Sequence, residues 1–219
     1  MRRLSRGKLR HQLESLLSSN RYQAVIFDLN GVFGGYSRAL FILKILRSKG
    51  IVFAIWCVFR FLVLKEEYNN LLCGECCEQR YWEKFLKGWP GIIKKINPED
   101  MKELLSSSVL PIDQDMVGLL KDLRQKDGLR LFVLSDINRE RIEELENDSE
   151  YGLLLREFDE VFYSCNIKFT KLCQESFEYV LEAVGLTSDE VIFIDDNPRN
   201  VANSLRFSVQ AILLKSSTV

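Results

Sequence analysis

The second half of the chain alternates short apolar runs with amphipathic stretches of helical period. Each apolar run predicts a strand, and one further run of this kind lies near the start of the chain. The predicted strands are 24–27, 129–134, 158–163, 191–194 and 210–214, and the predicted helices between them are 116–126, 139–147, 175–184 and 200–205. The runs are apolar throughout rather than alternating, which is typical of strands covered on both sides. The pattern predicts an α/β fold with a parallel sheet and helices on both faces.

Residues 34–112 interrupt this alternation, and their pattern predicts a mostly helical insertion after the first strand. The most apolar part of the chain, 39–64, lies here and ends in the run 51–64, which contains Arg60. A membrane-spanning helix needs about 20 apolar residues with few charges. We therefore predict two buried or half-buried helices over 39–64. Attachment to a membrane surface and burial against a partner are the alternatives.

The first 20 residues are basic and have no apolar core of the kind that secretory signals contain. Leu9, Leu13, Leu16 and Leu17 recur at helical spacing, which predicts an amphipathic arm packed on the domain. Contact of this arm with an anionic membrane surface is the alternative. Without a signal, we expect a cytoplasmic protein with reduced cysteines.

Overall charge argues against a nucleic-acid partner. The chain has 30 Lys and Arg against 31 Asp and Glu residues, so its net charge is −1. It also has a single histidine, His11, in the basic arm. Hydrolases with a Ser-His or Cys-His pair, and zinc sites with histidine ligands, would all depend on that one residue. These classes are therefore disfavoured.

A cluster of three cysteines could indicate a metal or redox site. Cys73, Cys76 and Cys77 lie close together, but the chain offers no second ligand pair and no nearby histidine. We expect them to be ordinary helical cysteines.

Polar residues close several of the predicted strands. The strand at 24–27 ends on Asp28, the strand at 129–134 is followed by Ser135, and the strand at 191–194 by Asp195 and Asp196. Lys171 lies in the loop after a fourth strand. Parallel strands present their carboxyl ends at one edge of the sheet, where ligands bind. Carboxylates there suit Mg²⁺, and an aspartate can attack phosphorus to form an acyl phosphate.

The sequence resembles the phosphatase-like branch of the haloacid dehalogenase-like superfamily in four motifs. The motifs are matched by Asp28-Leu29-Asn30-Gly31, by Leu134-Ser135-Asp136, by Lys171, and by Asp195-Asp196 with the later Asn200. Lys168 is a rival for the third motif, and Leu172-Cys173 stand where the family often has a proline and an acid. Distance to the next helix favours Lys171.

The resemblance implies a Rossmann-like core with an inserted helical cap, Mg²⁺ as cofactor and a phosphorylated small molecule as substrate. It divides the chain into the arm 1–20, a core of 21–33 and 113–219, and a cap of 34–112. The implied catalytic residues are Asp28, Asn30, Ser135 and Lys171. The implied metal ligands are Asp28, the carbonyl of Asn30, Asp195 and Asp196, and the implied substrate-binding residues are Ser135, Asp136 and Lys171.

Asn30 departs from the family pattern, in which phosphatases have an aspartate that donates and accepts protons. An amide cannot exchange a proton at working pH, and losing general acid–base help costs ~10²–10⁴ in rate. Three interpretations follow: a phosphatase that is slow or acts on an activated leaving group, a weakened relative that binds a phosphorylated ligand or a protein, and a dehalogenase. The substrate and the oligomeric state stay open.

Overall fold

The computed structural model describes residues 3–89 and 96–215, except for the side chain of Arg38. The outer ends of the predicted arm and core, 1–2 and 216–219, lie outside the described residues. So does the 90–95 part of the predicted cap.

A parallel five-stranded sheet forms the centre of the fold; its strand order is β5 (Glu160–Tyr163), β4 (Arg130–Ser135), β1 (Ala24–Phe27), β6 (Val191–Asp195), β7 (Gln210–Leu213). A separate antiparallel pair joins β2 (Gly35–Tyr36) to β3 (Val109–Leu110). The predicted α/β class and parallel sheet are confirmed. The short β2–β3 pair has no counterpart in the sequence prediction.

Helices cover both faces of the sheet because successive side chains of a strand point to opposite sides. From β1, Val25 and Phe27 enter one apolar cluster, whereas Ala24 and Ile26 enter the other. The helices are α1 (Arg6–Leu17), α2 (Arg38–Lys49), α3 (Ile51–Val63), α4 (Lys65–Leu72), α5 (Glu78–Leu86), α6 (Pro98–Ser106), α7 (Gln114–Arg124), α8 (Arg139–Asn147), α9 (Ser149–Leu155), α10 (Ser164–Ile167), α11 (Gln174–Val184) and α12 (Pro198–Arg206). α1 and α7 contribute to the first cluster, and α11 and α12 to the second.

Two short helices, α9 and α10, were not predicted. Asp148 precedes the first residue of α9, and its Oδ1 accepts hydrogen bonds from the backbone N–H groups of Glu150 and Tyr151 at 2.9 and 3.0 Å. This is the usual arrangement of a helix N-cap. The capping residue immediately follows the last residue of α8, so no loop in the sequence separates the two helices.

Helices α2 to α6 lie between β2 and β3 and have an apolar cluster of their own. Aromatic rings dominate this cluster: the centroid of Phe53 lies 4.7 Å from that of Trp89, and that of Phe61 lies 4.8 Å from that of Phe85. The two helices predicted over 39–64 are α2 and α3, and the outer side of α3 is exposed. Among the described residues, no helix is both long and apolar enough to cross a membrane.

The prediction that the clustered cysteines are helical is wrong. Cys73 follows the last residue of α4, and Cys76 and Cys77 lie in the turn before α5. Gly74 has a φ of +67°, a left-handed conformation that ends α4 there. Along the described chain, all six cysteines are free thiols.

The N-terminal arm packs on the core through α1. Leu9 and Leu13 are fully buried in the first apolar cluster. Arg6 Nε forms an ion pair with Asp113 Oδ2 at 2.9 Å. Leu4 forms a parallel bridge with Leu214, next to β7.

Candidate active site

The register of the central strands brings three polar strand ends to one edge of the sheet. Phe27 is level with Val133 of β4 and Ile194 of β6. The next residue, Asp28, donates its backbone N–H to the carbonyl of Ile194 at 2.8 Å. Ser135 and Asp195 are the last residues of their strands and lie at the same edge.

Lys171 joins two of these strand ends. Its Nζ lies 2.7 Å from Asp28 Oδ1 and 2.8 Å from Asp195 Oδ2, and its side chain is only 1% exposed. Two backbone contacts hold the lysine loop: the Lys171 N–H donates to Asp136 Oδ1 at 2.9 Å, and Asn203 Nδ2 donates to the Lys171 carbonyl at 3.0 Å. The rival Lys168 is exposed, and its Nζ donates to the Gly74 carbonyl. The lysine beside Asp28 is therefore Lys171.

The charges around Lys171 are unbalanced towards the negative. Burial raises the pKa of Asp28 well above its usual value, opposed by the Lys171 ammonium and reinforced by Asp195 and Asp196. Burial by itself lowers the pKa of Lys171, but the carboxylates of Asp195, Asp28 and Asp136 outweigh it, so the pKa of Lys171 is raised. One ammonium group thus faces several carboxylates, and the negative charge that it leaves unbalanced favours the binding of a cation.

The residues at this edge suit a hard divalent cation. Carboxylate oxygens of Asp28, Asp195 and Asp196 all lie within 4.8 Å of one another. Gly31, at a φ of +87°, brings the backbone against Asp196 so closely that a Cβ at position 31 would overlap the carboxylate. Asp195 is held rigidly, because its Oδ1 accepts from the Asn197 N–H at 2.7 Å and its Oδ2 from Asn200 Nδ2 at 2.9 Å. Oxygen donors of this kind fit Mg²⁺.

Asn30 connects the loop after β1 to β2 and β4. Its Oδ1 accepts the Tyr36 N–H at 3.0 Å, and its Nδ2 donates to Ser135 Oγ across a long 3.5 Å. The amide uses both its donor and its acceptor, whereas a carboxylate could replace only the acceptor. Ser135 itself is fully buried.

A cavity of about 470 Å³ lies between this sheet edge and the inserted helices. Of the residues predicted from the sequence, it is lined by Asp28, Asn30, Asp136, Lys171 and Asp196. Within the described part of the chain, Ser135 and Asp195 are not among its lining residues. The opposite wall is largely apolar and comes from the helical insertion: Phe41, Phe61, Tyr68, Leu71, Leu72 and Trp82.

Sequence reasoning missed a second buried ionic cluster in the cavity wall. Arg141 Nη2 lies 2.7 Å from Glu78 Oε2, and Arg141 Nη1 lies 2.6 Å from Glu144 Oε2. Trp82 Nε1 donates to the other oxygen of Glu78 at 3.0 Å. The available signal was weak: Arg141 lies four residues before the buried Leu145 and so on the apolar side of α8. Arg3, from the N-terminal arm, also lines the cavity and was not predicted.

A protein-family model, described as haloacid dehalogenase-like hydrolase, matches residues 22–202. The chain belongs to the haloacid dehalogenase-like hydrolase family. It is therefore a hydrolase-family enzyme, and the resemblance of the four sequence motifs to this family is confirmed. The assignment to the phosphatase-like branch stays a prediction.

Solved structures of this family share the fold. A HAD family enzyme from Bacteroides thetaiotaomicron is 19% identical with a TM-score of 0.71, over 90% of this chain and 95% of that one. A predicted HAD-like hydrolase from Porphyromonas gingivalis is 21% identical with a TM-score of 0.66, over 90% and 93%. The L-2-haloacid dehalogenase of Xanthobacter autotrophicus is 18% identical with a TM-score of 0.60, over 87% and 76%. At these identities the likeness concerns the fold alone.

Among curated proteins, a drimenol cyclase of Aspergillus calidoustus is 27% identical over 112 residues. The match takes in 50% of this chain and only 21% of the cyclase. Half of this chain thus matches about a fifth of that longer relative.

Proposed function

We propose that this protein is a magnesium-dependent phosphatase or phosphotransferase that acts on a phosphorylated small molecule through an aspartyl-phosphate. The observation that carries the proposal is the buried contact of Asp28 with Lys171, with Asp195 and Asp196 beside it. A dehalogenase would use the aspartate as nucleophile but would not need the surrounding acidic cluster. The cluster therefore favours phosphoryl transfer over dehalogenation.

Asp28 is the proposed nucleophile. One of its carboxylate oxygens attacks phosphorus, and the bond from phosphorus to the leaving oxygen breaks with its electron pair on that oxygen. Water, or another acceptor hydroxyl, then attacks the phosphorus of the acyl phosphate and breaks its bond to the Asp28 oxygen. The proton of the attacking hydroxyl stays with the released phosphate or passes to solvent, and the leaving oxygen of the first step takes its proton from solvent. Lys171 orients Asp28 and, with Ser135, holds the phosphoryl oxygens, while Asp136 fixes the lysine loop.

The proposed magnesium ligands are Asp28, Asp196 and the backbone carbonyl of Asn30. Asp195 supports them from beside Lys171. A bound magnesium ion supplies positive charge that offsets the charge of a transferring phosphoryl group. The same Bacteroides enzyme has also been solved in complex with magnesium and inorganic phosphate, at 18% identity and a TM-score of 0.66 over 90% of this chain and 96% of that one. That complex supports the proposed ligand chemistry by analogy of fold.

We further propose that 34–112 acts as the cap over this site and 1–20 as an arm on the core formed by 21–33 and 113–219. Support comes from the cavity, whose charged wall belongs to the strand ends and whose aromatic wall belongs to α2, α3, α4 and α5. An apolar wall of this kind favours a substrate with an apolar leaving group.

Replacement of Asp28 by Asn tests the proposed nucleophile directly. With magnesium and a panel of aryl and alkyl phosphates, we expect wild-type turnover and a trapped phosphoenzyme, both lost in Asp28→Asn. Asp189→Asn is the matched control, because Asp189 is exposed and lies before β6, at its amino end. Turnover that survives in Asp28→Asn would exclude the aspartyl-phosphate.

Because position 30 is an asparagine, we expect the turnover rate to depend steeply on how well the leaving group stabilises negative charge. Without an acid at this position, the leaving oxygen departs unprotonated, so aryl phosphates should react much faster than alkyl phosphates. Asn30→Asp should keep the bond from Tyr36 and raise alkyl phosphate turnover by ~10²-fold or more, because it adds general acid catalysis. Equal rates for aryl and alkyl phosphates in the wild type would contradict this role of Asn30.

Asn30 also favours a second candidate, a weakened relative that binds a phosphorylated ligand or a protein without turning it over. In that case the wild type would be inactive on the whole panel, and Asn30→Asp would gain activity. Release of halide from 2-haloacids without magnesium would instead support a dehalogenase.

A further inference from the structure

The outer side of α3 carries an unusually large apolar surface. Seven large side chains of this helix are exposed, from 47% at Val58 to 74% at Leu62. They are Ile51, Val52, Ile55, Val58, Phe59, Leu62 and Val63. The inner side of the same helix is also apolar, with Phe53, Ala54 and Cys57 buried in the cluster of the inserted helices. An ordinary surface helix has only one apolar stripe, which faces the core.

The single charge within α3 is turned inward. Arg60 Nε donates to the Phe85 carbonyl at 2.9 Å, Arg60 Nη2 donates to the Lys84 carbonyl, and the guanidinium lies 5.4 Å from the Trp56 ring centroid. These contacts attach the cation to the end of α5. The outer side of α3 is left without an ionic group of its own, which raises the cost of exposing it to water.

The charge of this segment differs sharply from that of the rest of the chain. Residues 38–65 contain six Lys and Arg residues and no Asp or Glu. Because the whole chain has a net charge of −1, all other residues together carry −7. Arg47 and Lys65 are exposed near the two ends of α3, and Lys49 is paired with Asp100 at 2.9 Å. An apolar helix face with cations at its ends is the pattern of interfacial membrane helices.

We propose that the outer face of α3 binds the surface of an anionic phospholipid membrane, with the helix lying in the plane of the interface. The helix has 13 residues, and at 1.5 Å per residue it is about 20 Å long, too short to cross a bilayer but suited to lying along it. The exposed Arg47 and Lys65 complement anionic headgroups, each nearby cation strengthening the interaction. A second copy of the chain would instead bring two such positive segments together.

Flotation of the full chain with lipid vesicles tests this proposal. We compare vesicles of phosphatidylcholine alone with vesicles that also contain phosphatidylserine, at low and at high salt. The chain should float with the anionic vesicles and be partly released by salt. Arg47→Gln with Lys65→Gln should weaken binding roughly 25-fold, at about fivefold for each cation removed.

The apolar contribution is tested by Ile55→Glu combined with Phe59→Glu, which should weaken binding on the order of 100-fold. Both side chains are more than half exposed, so the fold should be preserved, which circular dichroism checks. Leu153→Glu is the matched control, because Leu153 is 63% exposed but lies on α9, outside the insertion. Ile55→Ser with Phe59→Ser repeats the test without added negative charge.

Two results would overturn the proposal. One is equal flotation of the wild type and the Ile55/Phe59 variants with anionic vesicles. The other is a failure of the wild type to bind the anionic vesicles. A doubled mass in light scattering that Phe59→Glu abolishes would then identify the face as a dimer interface. Neither result depends on whether the enzyme is a phosphatase.

Discussion

Two buried cations, Lys171 and Arg141, lie in the wall of the same cavity and differ in what they connect. Both side chains are at most 5% exposed, and each forms ion pairs with two carboxylates. The partners of Lys171 follow β1 and end β6, both in the central sheet. One partner of Arg141, Glu78, belongs to α5 in the helical insertion, whereas the other, Glu144, is on its own helix.

This difference indicates that the contacts of Lys171 serve the reaction, whereas those of Arg141 hold the helical insertion to the core. The carboxylates beside Lys171 exceed the positive charge available to them, which is useful for binding a further cation and a phosphoryl group. Arg141 instead links α8 to the insertion, where Glu78 is in turn bound by Trp82 Nε1. We therefore expect changes at Lys171 to lower the activity of the folded enzyme, and changes at the Arg141 cluster to lower stability while the folded enzyme keeps its activity.

The largest effect is expected from Lys171→Met. Loss of a fixed positive group next to the reacting atoms should lower kcat/KM by ~10²–10³-fold. Steady-state assays with magnesium measure this, and Lys168→Met is the control because Lys168 is exposed and does not line the cavity in the described chain. A similar loss in both variants would contradict the assignment of Lys171.

Glu78→Gln should come next and act on stability. Removing one member of a buried ion pair costs about 3–5 kcal/mol, and because Glu144 still faces Arg141 we expect about 3 kcal/mol. Urea denaturation gives the free energy of unfolding. Phosphoenzyme formation should persist under conditions where the variant is folded. If activity vanished while the free energy of unfolding stayed unchanged, the distinction between the two cations would fail.

Glu144→Gln should have the smallest effect, and it doubles as a matched control for Glu78. It removes the other carboxylate of the cluster, but this side chain is 40% exposed, so solvent screens its ion pair. A loss of about 0–1 kcal/mol in the free energy of unfolding is expected. A loss as large as that of Glu78→Gln would show that burial does not distinguish the two acids.

The central sheet and most of the site edge could be predicted because their signals are local. An apolar run followed directly by an acid, as at Asp28 or Asp195, predicts both the strand and the site residue at its carboxyl end from adjacent positions. Lys171 could be chosen over Lys168 from its distance to the following helix. The structure brings Asp28 and Lys171 together as that choice requires.

Features that depend on distant pairing were out of reach. Glu78 and Arg141 are 63 residues apart, and neither residue shows in its own segment that it will be buried with the other. β2 and β3 have two residues each, too few for a periodic pattern. The exposure of α3 could not be predicted either, because an apolar run has the same sequence pattern whether its outer side contacts protein, lipid or water.

Gly31 limits what directed evolution can do with this site. Any side chain there would push into the Asp196 carboxylate, so variation at this position disturbs the turn and the acidic cluster together. Gly118, in the middle of α7, has open space around it and carries no such constraint. A mutant library for this site should keep Gly31 unchanged and vary the aromatic residues of the opposite cavity wall instead.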